Sequence, residues 1–170
     1  SRFCIYYSMT LSSVIQIIFL SFIIVVLQIF IPSIIVKNLE ITPDLLIIFL
    51  VYIGYYYGRF ETVIIGFLFG FAQDLLTQLE LIGVMTFSKS LVGYLLGTTA
   101  LYRNIWNKNF RLFFIFILFI LHFFIYYYIK LNGINIALGL FITIIIFQSS
   151  LCYIILLIID KIIMNNSLSK

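Results

Sequence analysis

Long apolar stretches, each set off by a charged or turn-forming cluster, fill the chain from residue 11 onward. Their apolar character is uniform, so they predict helices; barrel strands would alternate at period two in segments of about ten residues. A helix needs about 20 mostly apolar residues to cross the hydrocarbon core of a bilayer. Six stretches of roughly this kind fit, at 11–32, 43–58, 62–79, 83–102, 112–129 and 136–159. The pattern predicts an all-α integral membrane protein, a single domain over 1–170 with six transmembrane helices. Pro32 stands where the first helix should stop. Thr42, Pro43 and Asp44 then read as the N-cap, first-turn proline and first-turn acid of the second. The apolar run ahead of Lys37 is longer than a signal-peptide core and shows no small-residue cleavage pattern, so it is expected to stay as an anchor.

Composition supports the same class. With 64% hydrophobic and 9% charged residues, a water-soluble domain would have almost nothing to cover its surface. The few charges set an orientation. Arg2, Arg59, Arg103, Lys108, Arg111, Lys161 and Lys170 fall on one side, Lys37 and Lys130 on the other, and Lys89 inside the membrane. By the positive-inside rule both termini are cytoplasmic. Tyr55, Tyr56 and Tyr57, with Tyr102 and Trp106, then mark the inner interface, and Tyr126, Tyr127 and Tyr128 the outer one. The connections are short, so no soluble domain is expected on either side. The basic loop 103–111 reads first as the topology signal and second as an attraction for anionic lipid or an acidic partner. A net charge of +4 spread over short loops gives no case for nucleic acid.

Within the predicted spans, polar and small residues carry the information. Gly66, Gly70, Asp74 and Thr77 share one helical face, and Thr86, Lys89, Gly93 and Gly97 share another. A tight antiparallel hairpin turning near Leu81 and Ile82 would set Gly66 against Gly97, Gly70 against Gly93, Asp74 against Lys89, and Thr77 against Thr86. Small residues let two backbones approach, and polar side chains bridge the seam. Because an unpaired charge at this depth costs about 2.5 to 3.5 kcal/mol on insertion scales, Asp74 and Lys89 are expected to pair. The pair reads first as a lock between helices and second as the edge of a cavity. Gly54 and Gly58 add a small-residue pair on the second helix. The second to fourth helices would then form the packed centre, with the first, fifth and sixth facing lipid or a partner.

His122 lies near the middle of the fifth span, and reflection through a turn at Asn132 and Gly133 brings it close to Thr143, which would satisfy it. Gln16, Gln28, Gln73 and Gln148 should prefer the interior and hint at a polar pocket. Reactive chemistry is sparse. Cys4 and Cys152 are far apart and the chain has one histidine, so neither a metal site nor a cofactor is expected. No phosphate-binding glycine loop, nucleophile elbow or facing carboxylate pair is present, which argues against an enzyme.

The run Thr42-Pro43-Asp44-Leu45-Leu46, then Gly58, then Gly66-Phe67-Leu68-Phe69-Gly70-Phe71-Ala72-Gln73-Asp74-Leu75, a glycine at 83, and Leu91-Val92-Gly93-Tyr94-Leu95-Leu96-Gly97 resembles the MreD family of bacterial rod shape-determining membrane proteins. The likeness covers residues 42 to 97 in order, and Gln73 departs from the small or apolar residue that would be less surprising there. It implies a component of the bacterial cytoplasmic (inner) membrane in the cell-elongation machinery. Implied partners are the single-pass protein MreC and, directly or indirectly, the actin-like MreB, the synthase RodA and its penicillin-binding protein. Membrane lipids and a possible homo-oligomer complete the set, and the resemblance implies no catalysis by this chain. The family is also similar in fold to the substrate-binding subunits of energy-coupling-factor transporters, which implies a cavity among the helices.

Three functions therefore stand against one another. A non-catalytic scaffold for peptidoglycan synthesis, binding MreC and associated synthases, fits a chain whose motifs serve packing. A small-molecule-binding subunit of a membrane transporter is the alternative. It would carry an Ala-x-x-x-Ala docking motif on its first helix, where this chain has Ser12, Ser13, Gln16 and then bulky residues. A lipid or proton carrier would have to use Asp74, Lys89 and His122, and no acidic residue is expected to be left unpaired for it.

Overall fold

The computed structural model describes residues 11–36, 39–77, 82–132, 137–162 and 168. Leu81 and Gly133, at the predicted turns, and Cys4 lie outside them. Six substantial helices carry the fold: α1 (Leu11–Phe30), α2 (Leu45–Tyr56), α3 (Arg59–Thr77), α4 (Val84–Leu96), α6 (Lys108–Lys130) and α7 (Leu138–Ile162), with a four-residue α5 (Thr98–Leu101) after α4. Between α1 and α2 the chain forms a small antiparallel ladder, β1 (Ile34–Val36) with β2 (Leu39–Ile41), pairing Ile34 with Ile41 and Val36 with Leu39. Among the described residues the regular structure is thus helical apart from one short ladder that the helix reading does not anticipate. β-Branched Ile34, Ile35 and Val36 suit an extended backbone, and pairing satisfies groups that an open loop would leave bare.

Among the described residues, α6 and α7 are long and apolar enough to cross a bilayer, while Val14–Phe30 of α1 and all of α2 are shorter apolar helices. The α2 helix is apolar all round, and Ile47, Leu50 and Val51 are buried in the centre of the molecule. A helix without a polar face belongs inside. It packs against α1, α3, α4, α5 and α7, whereas α1 touches only α2 and α3 extensively.

The closest pairing is α3 with α4, but its register differs from the predicted one. A Cβ on Gly66 would come within 2.6 Å of the Lys89 carbonyl oxygen, and one on Gly93 within 2.8 Å of the Thr62 carbonyl oxygen. Gly70 lies against Met85 and Thr86, and Gly97 against Gly58 and Arg59. These glycines therefore face backbone, and none of them meets the glycine that the hairpin reading sets against it. Each contact is displaced by seven or eight residues, about two turns, from the symmetric register. The shift lets α4 begin beside the end of α3, where Asp74 caps it. Gly54 serves the same close approach, its missing Cβ leaving room for the Leu96 backbone at 2.9 Å. Gly58 lies outside α2 and is not a helix-face residue. Its φ of 105° reverses the chain between α2 and α3, a left-handed conformation that favours glycine.

Candidate functional site

The start of α2 is where the buried polar groups converge. Asp44, and not Thr42, is the N-cap: its Oδ1 accepts from the Leu46 N–H at 3.0 Å and the Ile47 N–H at 3.2 Å. The cap falls two residues later than the proline signal suggests because the carbonyls before it are held from outside the helix. Gln148 on α7 donates to the Thr42 carbonyl at 2.8 Å, and Gln28 on α1 donates to the Pro43 carbonyl at 2.9 Å. Gln28 also accepts from the Leu45 N–H at 2.7 Å, and Tyr127 on α6 donates to Gln148. The Asp44 N–H points to the Cys152 sulfur at 3.5 Å. Thr42, Pro43 and Asp44 are thereby fixed by side chains from α1 and α7, with Tyr127 of α6 holding Gln148 in place.

The other Asp44 oxygen holds the charge. Oδ2 pairs with the Lys89 ammonium, which also donates to Gln73 Oε1. His122 Nε2 stands 3.4 Å from the same oxygen, and His122 Nδ1 lies 2.7 Å from Ser88 Oγ. Lys89, Ser88 and His122 are fully buried and Asp44 nearly so. Two opposite charges removed from water compensate each other only if further hydrogen bonds satisfy them, and here Gln73 and the first-turn amides of α2 do so. A proton on His122 Nε2 faces the carboxylate and leaves Nδ1 to accept from Ser88, a tautomer inferred from its partners.

The pairing expected between Asp74 and Lys89 does not form. The Asp74 carboxylate accepts from the backbone N–H groups of Gly83 (2.9 Å), Met85 (3.1 Å) and Thr86 (3.0 Å) and from the Thr86 hydroxyl (2.7 Å). The first N–H groups of a helix have no intrahelical partner and attract an anion, so Asp74 on α3 serves as the cap of α4. This leaves Lys89, one turn further on, to reach Asp44. The expected bond between His122 and Thr143 is also absent: Thr143 is exposed and donates to Gly139 on its own helix. Gln73, the residue that departs from the family pattern, is a ligand of the buried ammonium.

Ser88, His122 and Asp44 have the residue types of a hydrolytic triad, but the geometry does not suit that chemistry. The ring presents Nδ1 to serine and Nε2 to aspartate, the reverse of the usual order. The serine is fully buried, so no substrate carbonyl can approach it in this conformation. What the arrangement does is tie α1, α2, α3, α4, α6 and α7 to one point. Sequence reasoning noted Gln28 and Gln148 only as members of a group of amides, Gln73 also as a departure from the family pattern, and missed Ser88 entirely; the available signal was a set of amides, each in a different span, with an acid at a span boundary.

At the opposite end of α2, Tyr55 lies beside two guanidinium groups, Arg103 at 5.3 Å and Arg111 at 5.1 Å from its ring centre, and Arg111 donates to its hydroxyl at 3.2 Å. Arg59 stands over Tyr94 at 4.9 Å. These cations are held by aromatic faces. Among the described residues, no group of three or more His, Cys, Asp or Glu side chains could hold a metal ion.

The family model described as rod shape-determining protein MreD matches residues 7–168. None of the curated proteins and none of the solved structures matches the chain.

Proposed function

Because the chain belongs to the MreD family of rod shape-determining membrane proteins, we propose that it is a non-catalytic, multi-pass scaffold of the bacterial inner membrane. On this reading both termini are cytoplasmic. The protein holds MreC and, directly or through it, MreB, RodA and the cognate penicillin-binding protein. The observation that carries the reading is the polar hub itself. The conspicuous polar side chains of the interior, Asp44, Lys89, Gln73, Ser88, His122 and Gln148, are engaged with one another or with backbone. Such a network gives a rigid frame, and what remains to act on other molecules is the apolar outer surface, where Ile18, Phe22, Phe113 and Ile154 are exposed.

A cavity gives the transporter-subunit alternative its one specific support. About 470 Å3 of space lies between α1 and α2, lined by Gln16, Tyr52, Tyr56 and apolar neighbours. Among the described residues, the buried Tyr52 hydroxyl has no hydrogen-bond partner. A fold like that of energy-coupling-factor substrate subunits would place a ligand among the helices.

The test is to tag the protein in its native cells, solubilise gently, cross-link and identify what co-purifies. Recovery of MreC with peptidoglycan synthases is the expected result. Recovery of ATPases with a transport subunit would overturn it and direct attention to the α1–α2 cavity.

A further inference from the structure

A second groove, of about 620 Å3, runs along the other side of α1, between it and α3. Its walls are apolar: Ile17, Ile18 and Phe22 from α1, and Ile64 and Leu68 from α3, with the small Ser21 and Ala72 leaving room between them. Glu61 is the acidic residue that lines it, in the first turn of α3. Among the described residues this carboxylate has no ion-pair partner, and its neighbour Arg59 is turned to the Tyr94 ring. On the orientation proposed above, this end of α3 is cytoplasmic.

We propose that the α1–α3 groove receives one transmembrane helix of a partner, whose cytoplasmic flanking Lys or Arg pairs with Glu61. The inference rests on the scaffold reading and adds to it the place of contact and the charge that selects the occupant. A single-span helix oriented by the positive-inside rule carries a basic residue at this level, and an amphipathic or apolar helix laid between two others is a recurrent mode of recognition. Close packing against small residues supplies the attraction that lipid-facing surfaces lack. A phospholipid in the same place would bring its phosphate to the level of the Glu61 carboxylate, like charge against like. Charge complementarity therefore favours the helix.

The experiment uses the full chain in native membranes with MreC as the probe, and a photo-cross-linking residue in place of Ile18 or Leu68 in the groove, or of Ile154 on α7. MreC adducts from Ile18 and Leu68 and none from Ile154 are expected. Adducts from Ile154 alone would overturn the groove while the scaffold reading stands. Lipid adducts or self-adducts at the groove positions, without MreC, would overturn it equally. Failure of the unmodified chain to recover MreC would overturn both. Glu61→Lys should lower MreC recovery roughly fivefold, and exchanging the partner's first cytoplasmic basic residue for Glu should restore it. Unchanged recovery with Glu61→Lys would eliminate the charge contact. Because rescue needs a folded chain, misfolding of the variant cannot imitate it.

Discussion

Asp44 and Lys89, 45 residues apart in the chain, form an ion pair sealed inside the helical bundle, with Gln73 and His122 around it. This pair joins the start of α2 to the middle of α4 across the interior of the bundle.

Lys89→Ala should destabilise the protein by about 3 to 5 kcal/mol, because it strands the buried Asp44 carboxylate without its counter-charge. Replacing both partners, as in Asp44→Asn with Lys89→Met, should cost much less than the sum of the single changes. Denaturant unfolding of the four proteins in detergent measures the coupling, and additive losses would show that the pair is not what holds these helices.

Asp74→Ala should cost about 1 to 2 kcal/mol, the range for loss of a helix cap. Its coupling to Lys89 should be clearly smaller than that of Asp44, since the two side chains serve different partners. Amide hydrogen exchange should show faster exchange confined to the first turn of α4. Protection lost instead around Lys89 would restore the hairpin pairing that the residue spacing suggests.

The glycines divide sharply. Gly66→Ala places a Cβ 2.6 Å from the Lys89 carbonyl oxygen and should cost about 1 to 3 kcal/mol through forced separation of α3 and α4. Gly139→Ala meets nothing within 4 Å. It should be neutral or stabilise slightly, because alanine is the better helix former. Fluorescence-detected size-exclusion after a heat step reads both.

Gln28→Leu removes the bidentate hold of α1 on Pro43 and Leu45. In a membrane protein such bonds contribute about 0.6 to 1.7 kcal/mol, so the chain should remain folded while α1 loosens. Spin labels on α1 and α3 should report a broader distance distribution; an unchanged distribution would mean that the apolar walls alone position α1.

Ser88→Ala separates a structural hub from a hydrolytic one. The variant should support rod-shaped growth in cells lacking the wild-type protein, with stability lowered by only about 1 kcal/mol. Round cells with normal amounts of folded protein would count against a non-catalytic role.

Membrane class was legible in the sequence because the length and apolar character of a helix act locally: α6 and α7 follow from their own residues. The small residues of α3 and α4 likewise announced a close approach. Their register was not legible. The even spacing of Gly66, Gly70, Gly93 and Gly97 fits several alignments two turns apart, and the alignment chosen depends on where α4 starts. Asp74 decides that point by capping it, a contact between a helix end and a side chain that no helical face pattern encodes.

The sequence by itself determined that this is a helical chain of membrane-protein character with a lysine, a histidine and several amides inside its apolar stretches, groups that must find partners because burying them alone is too costly. Only the tertiary structure decided which partners they are. Lys89 could have met either aspartate along its face, and it meets Asp44 because Asp74 is consumed by the free amides of α4. The reason is physical: the need for a partner is a property of the residue, whereas its identity depends on competition among all the donors and acceptors that the fold brings within reach.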